Sequence, residues 1–172
     1  YHFISEQLPK ILYLHKFLLS TNPDVKLLTY YNETFISEIL DICGISQNSI
    51  IEFSNSCNYN VKELYFSKPI YCGNPSKEDI GLIREYLNIN DNINDNLDEG
   101  EKPIGIIIKR VKGQVRSIVN FDNIKLVINE KIIDRKWVVF EHLSIRDSIN
   151  LFKKADIILA PHGAGLSNMI FS

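Results

Sequence analysis

The first half of the chain alternates between helical and extended hydrophobic patterns. Apolar residues recur at helical spacing over residues 5–20, and a second amphipathic segment follows Asn32 and ends before Gly44. Ser76 opens a third helical segment through about residue 87, with Asp79 placed as in a capping box. Short runs of β-branched and aromatic residues lie between these segments and predict strands at 25–30, 49–53 and 62–66.

The pattern stops over residues 88–102, which are polar, acidic and low in complexity. Such a stretch buries too little apolar surface to offset the entropy lost on ordering. We therefore predict a disordered acidic linker or loop at 88–102, between an N-terminal α/β half at 1–87 and a C-terminal half at 103–172.

After this segment the alternation begins again. Residues 104–109 form an almost continuous apolar run, as in a strand covered on both faces. Helical patterns over 120–131 and from Ser144 onward are separated by predicted strands at 137–140 and 156–160, and the last strand runs into a glycine-rich turn. Strand, helix, strand, helix, strand predicts a doubly wound α/β unit.

Composition narrows the classes of function only slightly. The 172 residues carry a formal net charge of −2, and 45% of them are hydrophobic. That length suits one large domain or two small ones, and the balanced charge gives no case for a nucleic-acid partner. No apolar run approaches the roughly 18–20 residues of a membrane span, so any membrane attachment would need an anchor outside this sequence.

The cysteines and the single glycosylation sequon leave the compartment open. Cys43 closes an apolar helical stripe and is interpreted as a small core residue, while a disulfide between Cys57 and Cys72 is compatible with the sequence but not indicated by it. No spacing suggests a metal site. Asn32 begins a sequon, but we interpret it as a helix N-cap.

A basic loop follows the buried strand of the second half. Residues 109–116 contain four cations around a glycine, and the two arginines are Arg110 and Arg116. Such a loop can wrap a pyrophosphate, since arginine offers bidentate contacts to phosphate oxygens and lysine a point charge. The alternative interpretation is a solvated basic turn.

The glycine-rich turn at 161–168 follows the last predicted strand. Its small residues allow a ligand to approach the backbone, the following helix N-terminus favours an anion, and His162 can donate to a phosphate or a sugar. The alternative is a tight strand-to-helix turn with a structural histidine. Because the carboxyl ends of strands in one sheet converge on one crevice, the two loops together favour a phosphate-containing ligand.

Residues 155–171, ADIILAPHGAGLSNMIF, resemble the signature of glycosyltransferase family 61, which contains the rare string P-H-G-A-G-L-[ST]-N. Residues 1–10 resemble the opening His and Leu-Pro helix of the family. Arg110, Arg116 and Asn120 resemble its Arg…Arg…Asn segment, and residues 143–156 its Leu-Ser helix. The resemblance therefore covers nearly the whole chain.

The resemblance implies a GT-B-like fold of two Rossmann-like halves, with 1–87 on the acceptor side and 103–172 holding the nucleotide sugar. It also implies inverting transfer from a UDP-sugar such as UDP-GlcNAc or UDP-xylose to a glycan or protein-linked hydroxyl, with no required cofactor or metal. Arg110 and Arg116 would hold the diphosphate. The donor pocket would be lined by His162, Gly163, Ala164, Gly165 and Asn168.

Such a transfer needs a base for the acceptor hydroxyl, and we expect it from the N-terminal half. The candidates are His2 and Glu6, with His2 preferred because histidine titrates near neutrality. The alternative is an exposed pair at a frayed terminus.

Two rival interpretations remain at this stage: a non-catalytic nucleotide-sugar or glycan-binding relative of the family, and an unrelated nucleotide-binding α/β domain. Members of the family continue beyond the signature, so we expect a fragment or excised catalytic region with a truncated C-terminal half, or a reduced relative. The compartment would be the Golgi or ER lumen for a eukaryotic enzyme and the cytoplasm for a bacterial or viral one.

Overall fold

The computed structural model describes residues 2–67, 74–89, 97–110, 115–141 and 143–172. The chain divides into two compact units, Tyr1–Leu87 (unit 1) and Asn88–Ser172 (unit 2). Each unit contains a small parallel sheet with helices, so the fold is α/β. Cys72 and residues 90–96 of the predicted linker lie outside the described residues.

Unit 1 begins with a long helical segment, as the periodicity predicts. Helix α1 (Leu8–Leu14) lies between π-helical turns at Phe3–Gln7 and His15–Leu19, and its second residue is Pro9, which has no N–H to donate. Leu8 and Leu12 are fully buried. The helix packs on α3 (Lys77–Tyr86), where His15 Nδ1 and the Tyr86 hydroxyl lie 3.0 Å apart. Burial lowers the pKa of His15.

Helix α3 also has the predicted capping box. The Ser76 hydroxyl accepts from the backbone N–H of Asp79, and the Asp79 carboxylate accepts from that of Ser76. Two donors that the first helical turn would otherwise leave unpaired are thereby satisfied.

The sheet of unit 1 has two parallel strands, β1 (Leu27–Thr29) and β2 (Ile50–Glu52), joined through α2 (Thr34–Ile42). Helix α2 ends at the predicted glycine. Gly44 has φ +74°, and the N–H groups of Gly44 and Ile45 donate to the carbonyls of Asp41 and Leu40. These two bonds define a Schellman motif, which explains why a glycine stands there.

Two expectations for unit 1 are wrong. Residues 62–66 form no strand, and their apolar side chains are largely exposed, Phe66 to 81%. β-Propensity alone does not make a strand, because a strand also needs hydrogen-bonded neighbours and burial. The N-cap of α2 is Glu33 rather than Asn32, and it makes no side-chain capping bond.

Unit 2 follows the predicted order of elements. Strands β3 (Ile104–Ile108), β4 (Lys136–Phe140) and β5 (Ala155–Leu159) alternate with helices α4 (Phe121–Lys131) and α5 (Ile145–Phe152). Every residue of β3 is buried, as expected for a strand covered on both faces. The helix expected after the glycine-rich turn is present at Ala164–Phe171 and is a 3₁₀-helix.

The helices of unit 2 are close to the predicted ones. The Ser144 hydroxyl accepts from the backbone N–H of Asp147 and starts α5. Helix α4 buries only part of its apolar residues. Ile128 is buried, but Val127 is 55% exposed, because it lies about 100° around the helix from its neighbour.

The strand order of unit 2 is β4-β3-β5, and all pairs are parallel. The chain therefore leaves β3 for β4 on one side and returns to β5 on the other. Between β3 and β5 the direction of the connections reverses, and in open α/β sheets this reversal creates a crevice beyond the carboxyl ends of the strands. This is the position that a ligand site in unit 2 is expected to use.

The described end of the predicted linker makes ordered contacts within unit 2. Lys154 Nζ lies 2.6 Å from Glu101 Oε2 and 3.3 Å from Asp98 Oδ2, and the backbone N–H of Glu101 donates to the Asp98 carbonyl. The carboxylate of Glu101 raises the pKa of Lys154. Residues 97–102 thus form a turn attached to the start of the sheet.

We expect Gly105→Ala to lower the free energy of unfolding by about 1–3 kcal/mol through overpacking. A Cβ at this position would lie 2.5 Å from two carbons of the Trp137 ring, its partner on β4. The ring cannot move away cheaply because its Nε1 donates to the Ile132 carbonyl at 3.0 Å. Urea unfolding followed by circular dichroism measures the change.

The matched control is Gly81→Ala, in the exposed part of α3, where a Cβ meets nothing within 4 Å. That substitution should raise stability by about 1 kcal/mol, the ordinary difference between alanine and glycine in a helix. A Gly105→Ala protein as stable as the wild type would contradict the packing argument.

Candidate functional site

The candidate site lies at the carboxyl ends of β3 and β5 in unit 2. Arg110 comes two residues after the last residue of β3, and His162 three residues after the last residue of β5. Because these strands are parallel neighbours at the reversal of the connections, the two residues emerge at the same edge. The site joins parts of the chain that are 52 residues apart.

Arg110 packs directly on the glycine-rich turn. Its Nη1 donates to the backbone carbonyl of His162 at 3.3 Å. A Cβ on Gly163 would lie 2.8 Å from the same nitrogen, and Gly163 has φ +156°. This position therefore needs a glycine both for the backbone conformation and for the approach of the guanidinium.

Arg116 reaches the same histidine from the other end of the basic loop. Its Nη1 lies 2.9 Å from His162 Nδ1. The backbone of Arg116 has φ +67°, a left-handed conformation that is uncommon for a residue with a side chain. The structure thus brings together Arg110, Arg116 and His162, three residues that the sequence analysis predicts for a donor site.

Lys109, another cation of the basic loop, does not share this arrangement. Lys109 Nζ pairs with Glu141 Oε1 at 2.8 Å and lies over the ring of Phe121, 5.3 Å from its centroid. The hydrogen bond to Glu141 raises the pKa of Lys109, so its charge is held at the end of β4. Lys112, with the rest of 111–114, lies outside the described residues.

The rest of the predicted donor pocket forms the start of the 3₁₀-helix. Ala164 begins this helix after its N-cap, Gly163. Gly165 lies against β3, since a Cβ there would be 3.0 Å from Ile108 Cγ2. The side-chain amide of Asn168 donates to the Gly165 carbonyl at 2.9 Å, so it braces the turn.

The chain also matches the model of a known protein family. The family model described as Glycosyltransferase 61 matches residues 1–172, which is all of the sequence. The chain belongs to glycosyltransferase family 61. It is therefore a glycosyltransferase, and in general terms its substrates are a nucleotide-sugar donor and a glycan acceptor. Neither a curated protein nor a solved structure matches the chain.

The proposed base residues of this glycosyltransferase lie at the start of unit 1. His2 Nδ1 is 2.8 Å from Glu6 Oε1, one helical turn away. The His2 side chain is 63% exposed and that of Glu6 only 16%. The next residues, Phe3 and Ile4, are buried, so the pair stands on a packed turn rather than on a frayed end.

Unit 1 of the glycosyltransferase also contains an open groove of about 1210 Å³. One wall is the first helical segment, including Gln7 and Lys10, and another is β1. Residues 58–67 form a further side and bring the aromatic rings of Tyr59, Tyr65 and Phe66 to the groove. Apolar surface with a few polar groups is typical of small-ligand sites.

Within the described ranges, no three His, Cys, Asp or Glu side chains are grouped as metal ligands, and no helix is long and apolar enough to cross a membrane. Cys43 is a buried free thiol whose pKa burial raises to about 12, which agrees with a core role. Cys57 is free and exposed.

Two contacts at the site were not anticipated from the sequence. One is the Lys109–Glu141 pair, and the other is the packing of Gly165 on Ile108. The Lys109–Glu141 pair could have been predicted from the strand register. A parallel register that pairs Ile108 with Phe140 puts the next residues of both strands side by side. The second depends on how the 3₁₀-helix folds back, for which the sequence has no signal.

Proposed function

We propose that this family 61 enzyme is an inverting transferase that takes its sugar from a UDP-sugar, UDP-GlcNAc or UDP-xylose, and passes it to a hydroxyl of a glycan or protein-linked glycan. The observation that carries the proposal is the convergence of Arg110 and Arg116 on His162 beyond the ends of β3 and β5. Two guanidinium groups at this edge suit a diphosphate.

The proposal includes a GT-B arrangement in which unit 2 is the donor half. Its support is the strand order β4-β3-β5, which puts the reversal of the connections beside the two arginines. The glycine-rich turn with Gly163, Ala164 and Gly165 would pass close to the donor, and small residues there permit a near approach of its phosphates.

The chemistry is a displacement at the anomeric carbon. The acceptor oxygen forms a bond to that carbon as the bond to the phosphate oxygen breaks, so UDP leaves with the electron pair and the configuration inverts. Negative charge grows on the leaving diphosphate. Arginine side chains held by the fold can stabilise this charge, and we propose that they do so without a divalent metal.

The proton of the acceptor hydroxyl passes to a base, for which we propose His2. The contact between His2 Nδ1 and Glu6 supports this assignment, because a carboxylate that accepts from Nδ1–H puts the ring lone pair on Nε2, the nitrogen that would take the proton. Glu6 would orient the ring and stabilise its charged form.

We propose the groove of unit 1 as the acceptor site. Gln7 lines it and directly follows Glu6 in the chain, which connects the groove with the candidate base. The flat rings of Tyr65 and Phe66 can stack on the apolar faces of sugar rings, and Lys10 adds a hydrogen-bond donor.

The proposal is tested first by binding. UDP should raise the midpoint temperature of thermal unfolding. At 100 times its dissociation constant, UDP should raise the free energy of unfolding by about 2.7 kcal/mol. EDTA should leave this protection unchanged, and UMP should protect less because it lacks the second phosphate. Absence of protection by UDP would remove the donor-site assignment, and strict metal dependence would contradict the arginine account.

Turnover is tested by release of UDP from UDP-GlcNAc and UDP-xylose in the presence of candidate acceptors. His2→Gln should lower kcat by roughly 100-fold or more while leaving UDP protection intact, since general-base catalysis contributes about 10²–10⁴. Glu33→Gln, an exposed change in the same unit, is the control. UDP protection with no transfer to any acceptor would contradict the proposed transfer.

A further inference from the structure

The contact between Arg116 and His162 defines the chemical state of the histidine. We propose that Arg116 is a positioning residue that holds His162 neutral with its proton on Nε2, so that the ring presents one N–H donor to the diphosphate. The step to the diphosphate rests on the proposed function. The state of the ring does not, because it follows from contacts within unit 2 alone.

The first support is the hydrogen-bonding capacity of the two groups. A guanidinium has only donors, so in the 2.9 Å contact Nδ1 of His162 must be the acceptor. A nitrogen that accepts through its ring lone pair bears no proton. The neutral ring then carries its proton on Nε2, and an imidazolium could not make this contact because both of its nitrogens are donors.

The second support is the set of donors that face His162. Arg110 donates to the backbone carbonyl of His162 at 3.3 Å while Arg116 holds the side chain. Two permanent positive charges therefore face this residue from the loop after β3. Both arginines can only donate, so on this side His162 accepts twice, through its backbone carbonyl and through Nδ1.

The third support is the backbone of Arg116. Its φ of +67° is a conformation that glycine adopts at little cost and that a side-chain-bearing residue adopts at a penalty. If position 116 served only to form a turn, glycine would adopt this backbone conformation at a lower energy. The guanidinium at this point offsets that disadvantage through its contact with the imidazole.

This assignment separates the roles of the two arginines. Arg110 braces the main chain of the turn and keeps its remaining N–H groups for phosphate oxygens. Arg116 uses Nη1 to position the imidazole of His162, which adds an uncharged N–H contact to the diphosphate beside the arginine charges. The ring is then an uncharged donor whose direction is set before the donor sugar arrives, which lowers the cost of ordering on binding.

Nitrogen NMR on the protein labelled with ¹⁵N-histidine tests the ring state without nucleotide. His162 is assigned by its loss in His162→Gln. At mildly alkaline pH we expect the shift of an unprotonated Nδ1 and a protonated Nε2 in the wild type, and a mixture of tautomers in Arg116→Ala. A proton on Nδ1 in the wild type, or an unchanged tautomer in Arg116→Ala, would overturn the inference.

The contact with the diphosphate is tested by adding UDP to the same sample, which should shift the Nε2 resonance. A folded wild type that shows the predicted tautomer but no thermal protection by UDP would count against the proposed donor site and leave the ring state standing. Protection by UDP without any change at Nε2 would instead overturn the role given to His162.

A double-mutant cycle measured in kcat/KM tests whether Arg116 acts through His162. Arg116→Ala should lower kcat/KM for the sugar donor about 10-fold, and adding it to His162→Gln should cost little more. Arg116→Gln keeps an N–H donor without the charge and should regain part of the loss together with the Nε2–H tautomer. Fully additive effects of Arg116→Ala and His162→Gln would overturn the positioning role.

Discussion

Arg110→Ala should lower kcat/KM for the sugar donor by about 100-fold or more, comparable with the removal of one preorganised donor to a developing negative charge. The guanidinium lies on the glycine-rich turn, 3.3 Å from the His162 carbonyl. Its loss removes a fixed positive charge from the place where, on our proposal, the leaving diphosphate gains charge. Steady-state release of UDP from the sugar donor measures the effect.

The stability of Arg110→Ala is expected to change little, because the side chain is only partly buried and makes a peripheral bond to the turn. Lys136→Gln is the matched control. It removes one positive charge from the exposed start of β4, at the opposite edge of the same sheet, and should leave kcat/KM near the wild-type value. Equal losses in both variants would mean that overall charge, not the site, decides the rate.

Gly163→Ala should raise KM for the donor by roughly 10-fold or more while lowering stability by only about 1–3 kcal/mol, the usual cost of a strained backbone conformation. The new Cβ would lie 2.8 Å from Arg110 Nη1. That atom is the far end of a flexible side chain, so the guanidinium can swing away. This movement relieves the clash but removes the guanidinium from the position in which it would bind the donor.

A double-mutant cycle tests this mechanism, since residues acting through one contact do not give additive effects. In an Arg110→Ala background, Gly163→Ala should cost much less in kcat/KM than in the wild type. Gly165→Ala is the informative comparison. Its Cβ would meet Ile108 Cγ2, a buried side chain that cannot swing into solvent, so stability should fall more than donor KM rises.

Local sequence patterns were sufficient to predict most of the helices and strands. Strand β3 was predictable because five consecutive buried residues need an unbroken apolar run. The capping box at Ser76 and the Schellman glycine at Gly44 were predictable because each motif satisfies its own backbone groups within a few residues.

The errors fall where a structure depends on distant partners. Residues 62–66 have the composition of a strand but no strand pairing, and hydrogen-bonded neighbours, not propensity, make a strand. The basic loop was interpreted as a group of four cations, yet Lys109 pairs with Glu141 on the next strand. That pairing follows from the parallel register, which is a property of the sheet.

The sequence by itself determined the family, the α/β alternation and the identity of the residues at the candidate site. These follow from local periodicity and from a long contiguous signature, which need no knowledge of distant contacts. Only the tertiary structure decided the strand order β4-β3-β5 and the division of labour between the arginines, one on the backbone of His162 and the other on its ring. The physical reason is that a hydrogen bond is directional over about 3 Å, so the roles of residues 46 and 52 positions from His162 depend on how the sheet brings its strand ends together.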